Sequence, residues 1–311
     1  MNTENMRIAV VGLGGVGGYL GGMLAQHYPQ VTFAARGARG EALKKDGFTL
    51  HSDYKGEIHV SPEVCETREL TPQDIIFLSV KNYSLEAVCG EMKNAVTEDT
   101  VIVPVMNGAD PGERVRKYLG KGHVVDSLIY IVAFANPDFS VSQQGKFASL
   151  RIGVKNAGPA DEAAVALTGE VLKGADIDFK ASKDIEADIW KKYILNCAYN
   201  VTTACYNYNV GQLRADEEKA KQYETLAWEA ARVAMAKGVR VTEEVAESVC
   251  YRFRHELADN ATSSMQRDVV AGKMTELETF SGYVVREADR LGVDAPVSHE
   301  MYEKLKKIAK Y

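Results

Sequence analysis

Ile8-Ala9-Val10-Val11-Gly12-Leu13-Gly14-Gly15-Val16-Gly17 is the stretch that decides the fold. Its four leading apolar residues read as a strand buried on both faces. The glycines at 12, 14 and 17 then keep the spacing G-x-G-x-x-G before a helical stretch from Tyr19 to Gln26. Each glycine has a task in such a turn: a tight bend at Gly12, close backbone approach to a pyrophosphate at Gly14, and close packing of helix on strand at Gly17. The helix start adds free N–H groups and a dipole that favours phosphate. The spacing alone could be a permissive βα turn. Between a strand and a helix, it predicts that Gly12, Leu13, Gly14, Gly15, Val16 and Gly17 hold a dinucleotide.

The same alternation extends outward. Further strands are expected at Val31 to Ala34, Ile75 to Val80, Val101 to Val105 and Val124 to Val132, apolar at nearly every position. Parallel strands covered on both faces have that texture, so the first part reads as an α/β, Rossmann-type sheet. A last strand, Ala175 to Phe179, precedes a capped helix start near Asp184. From there apolar residues recur at three- and four-residue spacing, and Pro296 is the only proline. At 311 residues the chain is long enough for two cores. The expected domains are 1–182, α/β, and 183–311, all-helical.

Composition narrows the function classes. A formal net charge of -6 argues against attraction to nucleic acid or to anionic membranes. The five cysteines are odd in number and lack CxxC spacing, so neither disulfides nor a metal site is expected. The opening run Met1 to Arg7 has no basic start or small-residue cleavage site, and no apolar run approaches the ~18 residues of a membrane span. A soluble, cytoplasmic protein is expected. His255 to Asp259 lacks the second histidine of a zinc-protease motif, and Tyr206 and Tyr208 lack the basic stripe of a base-stacking platform. The helical domain offers surface on which a homodimer could form.

Two features bear on the ligands. About twenty residues past the fingerprint, NAD-preferring folds place an acid on the ribose hydroxyls. This chain has Ala35-Arg36-Gly37 instead. A guanidinium pairs with a 2′-phosphate that a carboxylate would repel, so Arg36 predicts NADP(H); the alternative is a solvated surface arginine. Farther on, Lys192, Asn196 and Asn200 stand at i, i+4 and i+8 and share one helical stripe. Such a stripe can face water. Here Trp190, Ile194, Leu195, Cys197 and Ala198 make the rest of the helix apolar, so the stripe interrupts a mostly buried segment. A lysine there can give a proton to a carbonyl oxygen while amides fix polar groups of a substrate.

Taken in order, these features resemble the ketopantoate reductase (2-dehydropantoate 2-reductase) family. The resemblance is carried by the fingerprint at Gly12, Val80-Lys81, Asn107-Gly108, Trp190-Lys191-Lys192 with Asn196 and Asn200, and Ser263-Ser264-Met265 with Asp268 and Glu276. It implies hydride transfer from NADPH to the C2 carbonyl of a small-molecule 2-keto acid. Lys192 would be the general acid, and Glu276 the carboxylate that binds a substrate hydroxyl beside it. Ser264, Asn196 and Asn200 would contact substrate, with Lys81 and Asn107 where nicotinamide and substrate meet.

Taken singly, several of these residues have plainer readings. Thr275 to Glu278 fits a capping box that would put Glu276 in a helix's first turn, Ser263 and Ser264 read as caps, Lys81 as a loop residue and Asn107-Gly108 as a turn. The chain also departs from the family. Val201 stands where proline is frequent, Val210 where asparagine commonly precedes the glycine, and the residues after Asn107-Gly108 diverge. Those changes bear on recognition of the substrate's far end. The other readings are a paralogue acting on another branched 2-keto acid and a non-catalytic dinucleotide sensor, which would need neither Lys192 nor Glu276.

Overall fold

The computed structural model describes residues 3 and 5–311. Met1, Asn2 and Glu4, part of the opening run read above for a leader, lie outside them. The chain divides into two units, Met1–Ile185 and Glu186–Tyr311.

In the first unit the fully apolar run Ile8–Val11 is β1, and the glycine turn leads into α1 (Gly15–His27). There follow β2 (Val31–Ala34), α2 (Gly37–Asp46), the hairpin β3 (Phe48–Ser52) and β4 (Gly56–Val60), and β5 (Glu63–Cys65). Next come β6 (Ile75–Leu78), α3 (Leu85–Glu91), β7 (Val101–Pro104), α4 (Pro111–Leu119) and β8 (His123–Val124). The unit ends with β9 (Asp126–Ala135), β10 (Val141–Gly153), α5 (Pro159–Gly174) and β11 (Phe179–Ala181).

Six strands form a parallel sheet in the order β5-β2-β1-β6-β7-β8. Ile8 lies level with Val31 on one side and Ile75 on the other. Counted among its own strands, the order reverses between β1 and β6. Ligands of open α/β sheets bind in the crevice at such a reversal, beyond the strand carboxyl ends.

A second, five-stranded sheet runs β11-β10-β3-β4, with β9 antiparallel to β10. Helix α1 lies between the sheets, and its glycines permit this. A Cβ on Gly21 would come within 2.8 Å of Phe33 in the first sheet. One on Gly18 would stand 2.4 Å from Val141, and one on Gly22 3.2 Å from Leu50, in the second. A helix buried on all sides must be small-sided where backbones close in.

The structure corrects the sequence reading in three places. Val124 to Val132 is not one strand: β8 ends at Val124, and β9 begins at Asp126 in the other sheet. The change of sheet falls at the polar pair Asp126-Ser127, where Ser127 donates to the Pro104 carbonyl at 2.8 Å and Arg116 pairs with Asp126 at 2.6 Å. The last strand is Phe179–Ala181 rather than Ala175 to Phe179. Ala175 and Ile177 are buried, but in the turn closing α5, where Asp176 takes a left-handed φ of 53°. Burial without strand geometry misled the apolar pattern. Strands β6 and β7 also stop short of Val80 and Val105, leaving Ser79 to Lys81 as a loop at the reversal.

The second unit is helical, a parallel bridge between Met274 and Lys310 apart: α6 (Ile185–Tyr206), α7 (Val210–Ala215), α8 (Glu217–Ala236), α9 (Glu243–His255), α10 (Ser264–Val270), α11 (Tyr283–Leu291) and α12 (Pro296–Lys306). A π-helical turn, Glu278–Gly282, opens α11. Helix α8 is central: Tyr223 stacks on Phe253 of α9 at 3.9 Å. Its Glu229, fully buried, accepts from the Val297 and Ser298 amides and the Ser298 hydroxyl, so a carboxylate neutralises the start of α12. Among the described residues no helix is long and apolar enough to cross a membrane.

Candidate active site

The glycine turn separates what the fold needs from what a ligand needs. Gly12 has φ of 90°, and a Cβ there would lie 2.7 Å from the Ser79 carbonyl oxygen. One on Gly17 would stand 1.8 Å from the Gly12 oxygen. Both glycines are required by the chain's own packing. Gly14 differs: it has φ of -70°, which any residue adopts, and nothing lies within 4 Å of where its Cβ would be. Only something approaching from outside calls for glycine there. No side chain caps α1 among the described residues, so its first-turn amides remain for an anion. This open cradle at the sheet reversal fits a pyrophosphate.

The neighbouring loops are tied together by residues the sequence reading did not single out. The Asn82 side chain donates to the Asn107 carbonyl at 2.7 Å, and Arg114 of α4 donates to both the Asn82 side chain and its carbonyl at 3.1 Å. Lys81 precedes Asn82, so the ends of β6 and β7 present Lys81 and Asn107 as one braced group. Neither Asn82 nor Arg114 carries a local sequence signal, because each works through hydrogen bonds to distant parts of the chain. Arg36 caps α2 at the end of β2; its side chain is 80% exposed and stands 3.8 Å from Glu91. Arg39, one turn on, donates to the Leu13 carbonyl within the glycine turn.

In the second unit, the charge of Glu276 acts on Lys192. Trp190, Tyr193, Ile194, Cys197 and Ala198 of α6 are buried, while Lys192 and Asn196 are half-buried. Burial pushes the Lys192 ammonium down from 10.5 to about 8, against the Glu276 charge, which favours the protonated form. Glu276 is 5% exposed. Side chains of α6 hold its segment: the Tyr193 hydroxyl donates to the Thr279 carbonyl at 2.6 Å and to that of Phe280 at 3.3 Å, and the Cys197 thiol donates to the Phe280 carbonyl at 3.5 Å. The capping box expected over Thr275 to Glu278 does not form. The Thr275 hydroxyl instead donates to the Lys310 carbonyl at 2.9 Å, and Glu276 sits just ahead of the first helical residue, Leu277.

Farther along the stripe, Asn200 does internal work. The buried Asn200 amide accepts from the Ser264 hydroxyl and the Met265 N–H, both at 3.3 Å, and donates to the Asn196 carbonyl at 3.2 Å. It joins α6 to the start of α10, while Ser263 is the cap of α10 and receives the Thr203 hydroxyl at 2.7 Å. Val201 and Val210 are 1% and 0% exposed. Both departures from the family pattern point into packed interior.

Comparison with known proteins identifies the family. Residues 8–156 match the family described as ketopantoate reductase PanE/ApbA, and residues 184–309 match its C-terminal part. An uncharacterized oxidoreductase of Bacillus subtilis, YkpB, is 31% identical over 300 residues, covering 96% of this chain and 98% of the relative. A 2-dehydropantoate 2-reductase of Archaeoglobus fulgidus is 28% identical, covering 95% of each. The solved structure of a PanE/ApbA family ketopantoate reductase from Ralstonia eutropha superposes with a TM-score of 0.88 at 25% identity, over 97% of this chain and 98% of that one. The parallel sheet with its glycine turn, the helical second unit and the family match over both units lead to one assignment: this chain belongs to the ketopantoate reductase family of nicotinamide-dinucleotide-dependent oxidoreductases.

Proposed function

We propose that the protein reduces a 2-keto acid to the 2-hydroxy acid with NADPH, ketopantoate being the first candidate and pantothenate biosynthesis the setting. The observation that carries this reading is Lys192, an ammonium lowered to about 8 beside a buried carboxylate. When bound, the dinucleotide supplies the hydride. Reduction turns the C2 carbonyl into an alkoxide, and Lys192 gives that oxygen its proton. A lysine near 8 is a far better acid at neutral pH than one near 10.5, and general acid catalysis is typically worth ~10²- to 10⁴-fold. Glu276 keeps Lys192 protonated and accepts a substrate hydroxyl.

Within this reading, residues 1–182 bind the nucleotide and residues 183–311 serve substrate and catalysis. Gly12 to Gly17 hold the pyrophosphate, Arg36 takes the 2′-phosphate, and Lys81 and Asn107 line the nicotinamide end. Asn196 and Ser264 contact substrate, with Asn200 fixing Ser264. Joint possession of Lys192 and Glu276 speaks against a sensor without turnover.

A second reading has a specific observation behind it. Where the family frequently has asparagine, the fully buried Val210 removes a polar group from the packing at the start of α7, and that departure suits a paralogue acting on another branched 2-keto acid. An NADPH-oxidation assay over a panel of 2-keto acids separates the two. Highest kcat/KM on ketopantoate supports the first, and preference for another branched acid selects the second. No turnover of any acid removes both.

A further inference from the structure

The segment after α12 reaches the candidate acid pair in a way the chemistry above does not use. Met274 and Lys310 form a parallel bridge. The Lys310 carbonyl accepts twice from one residue, Thr275: from its amide at 2.8 Å and from its hydroxyl at 2.9 Å. Thr275 is buried and immediately precedes Glu276. On the other side of Glu276, the Thr279 and Phe280 carbonyls are held by Tyr193 and Cys197 of α6. Glu276 is therefore suspended between two anchors, one on the helix that carries Lys192 and one on residues 308–311. The neighbouring carboxylate, Glu278, is taken up by Arg286 and by the Tyr302 hydroxyl at 2.6 Å. The carboxylate whose charge acts on Lys192 is Glu276.

We propose that residues 308–311 are a positioning strap: the Lys310 backbone carbonyl, through Thr275, holds Glu276 where it acts on Lys192. The inference rests on the reading of Lys192 as the acid. Coulomb attraction falls with distance and with the entry of water, so a carboxylate released on one side loses its hold on the ammonium while the ammonium stays buried. The strap works through main-chain atoms at residue 310 and through a hydroxyl at residue 275. Side-chain changes should therefore have unequal effects at the two positions.

The test compares Thr275→Val, Thr275→Ser, Lys310→Ala and a chain ending at Ala309, each checked for folding by circular dichroism. Two quantities are read: kcat and KM across pH, and the titration of Lys192 itself by NMR of isotope-labelled lysine, assigned with Lys192→Arg. Thr275→Val and the shortened chain are expected to lower kcat about tenfold with little change in dinucleotide affinity. In both, Lys192 should titrate lower by about half a pH unit or more. Thr275→Ser should restore both quantities, and Lys310→Ala should match the unaltered chain. If Lys192 titrates at the same pH in folded Thr275→Val and in the shortened chain, the strap is overturned. Loss of function in Lys310→Ala would overturn it too. Should the shortened chain not fold, Thr275→Val and its serine rescue decide alone. A chain that turns over no 2-keto acid defeats the proposed function, whereas the NMR titration still judges the strap.

Discussion

At the scale of single residues, the proposed chemistry depends on a lysine made a better acid by its surroundings. Burial lowers Lys192 to about 8 while Glu276 limits the fall. Lys192→Ala is expected to reduce kcat by ~10²-fold or more with dinucleotide affinity nearly unchanged. Only the protonated lysine can donate, so the reductive kcat should decline as pH rises through about 8. A pH profile flat between 7 and 9, or an active Lys192→Ala protein, would remove Lys192 from the role. Arg36 invites a different measurement. Its exposed guanidinium at the end of β2 predicts that Arg36→Ala weakens NADPH by at least ~10-fold while barely touching NADH. Equal losses for the two dinucleotides would show that it does not read the 2′-phosphate. Lys192 was legible in the sequence because a polar stripe interrupted an apolar helix. Asn82 and Arg114 were not, since their importance lies in hydrogen bonds across 25 and 32 residues that no local pattern reports.

At the scale of elements, two helix starts make opposite use of their amides. The start of α1 has no side-chain cap among the described residues, and Gly14 opens onto space. Gly14→Ala should leave the melting temperature unchanged yet weaken dinucleotide binding by about tenfold, roughly 1.4 kcal/mol. Gly17→Ala, whose Cβ would stand 1.8 Å from the Gly12 oxygen, should lower both together. The two variants thus separate ligand approach from chain packing, and identical behaviour would contradict the distinction. The start of α12 is closed instead by the buried Glu229. Glu229→Ala strands those donors and should cost about 3 kcal/mol in urea unfolding, with Glu229→Gln intermediate. A silent Glu229→Ala would mean the cap contributes nothing. The capping box expected at Thr275 shows the limit of motif reading at this scale. Thr275 had the right spacing to Glu278, but a carbonyl from residue 310 took its hydroxyl.

For the molecule as a whole, the depressed lysine is a cost to stability that the proposed chemistry requires. Its folded value of about 8 lies below the ordinary 10.5, so between those pH values the unfolded chain binds the extra proton and this group's contribution rises with pH. Lys192→Met removes that dependence. Its stability relative to the unaltered chain should be highest below pH 8 and fall by up to about 3 kcal/mol by pH 10.5, whatever constant offset comes from removing the ammonium near Glu276. A difference that stays flat across that range would show that Lys192 is not depressed. The sequence by itself determined the parallel sheet, the glycine turn and the change to helices, because burial on both faces and helical periodicity are written in local patterns. Only the tertiary structure decided the second sheet, with its polar and exposed strand positions, and the transfer of the chain between sheets at Asp126-Ser127. It also decided that Glu276 acts on Lys192 from 84 residues away along the chain. Such pairings depend on which segments meet in space, and a carbonyl or carboxylate far along the chain leaves no trace in the spacing of its partner's neighbours.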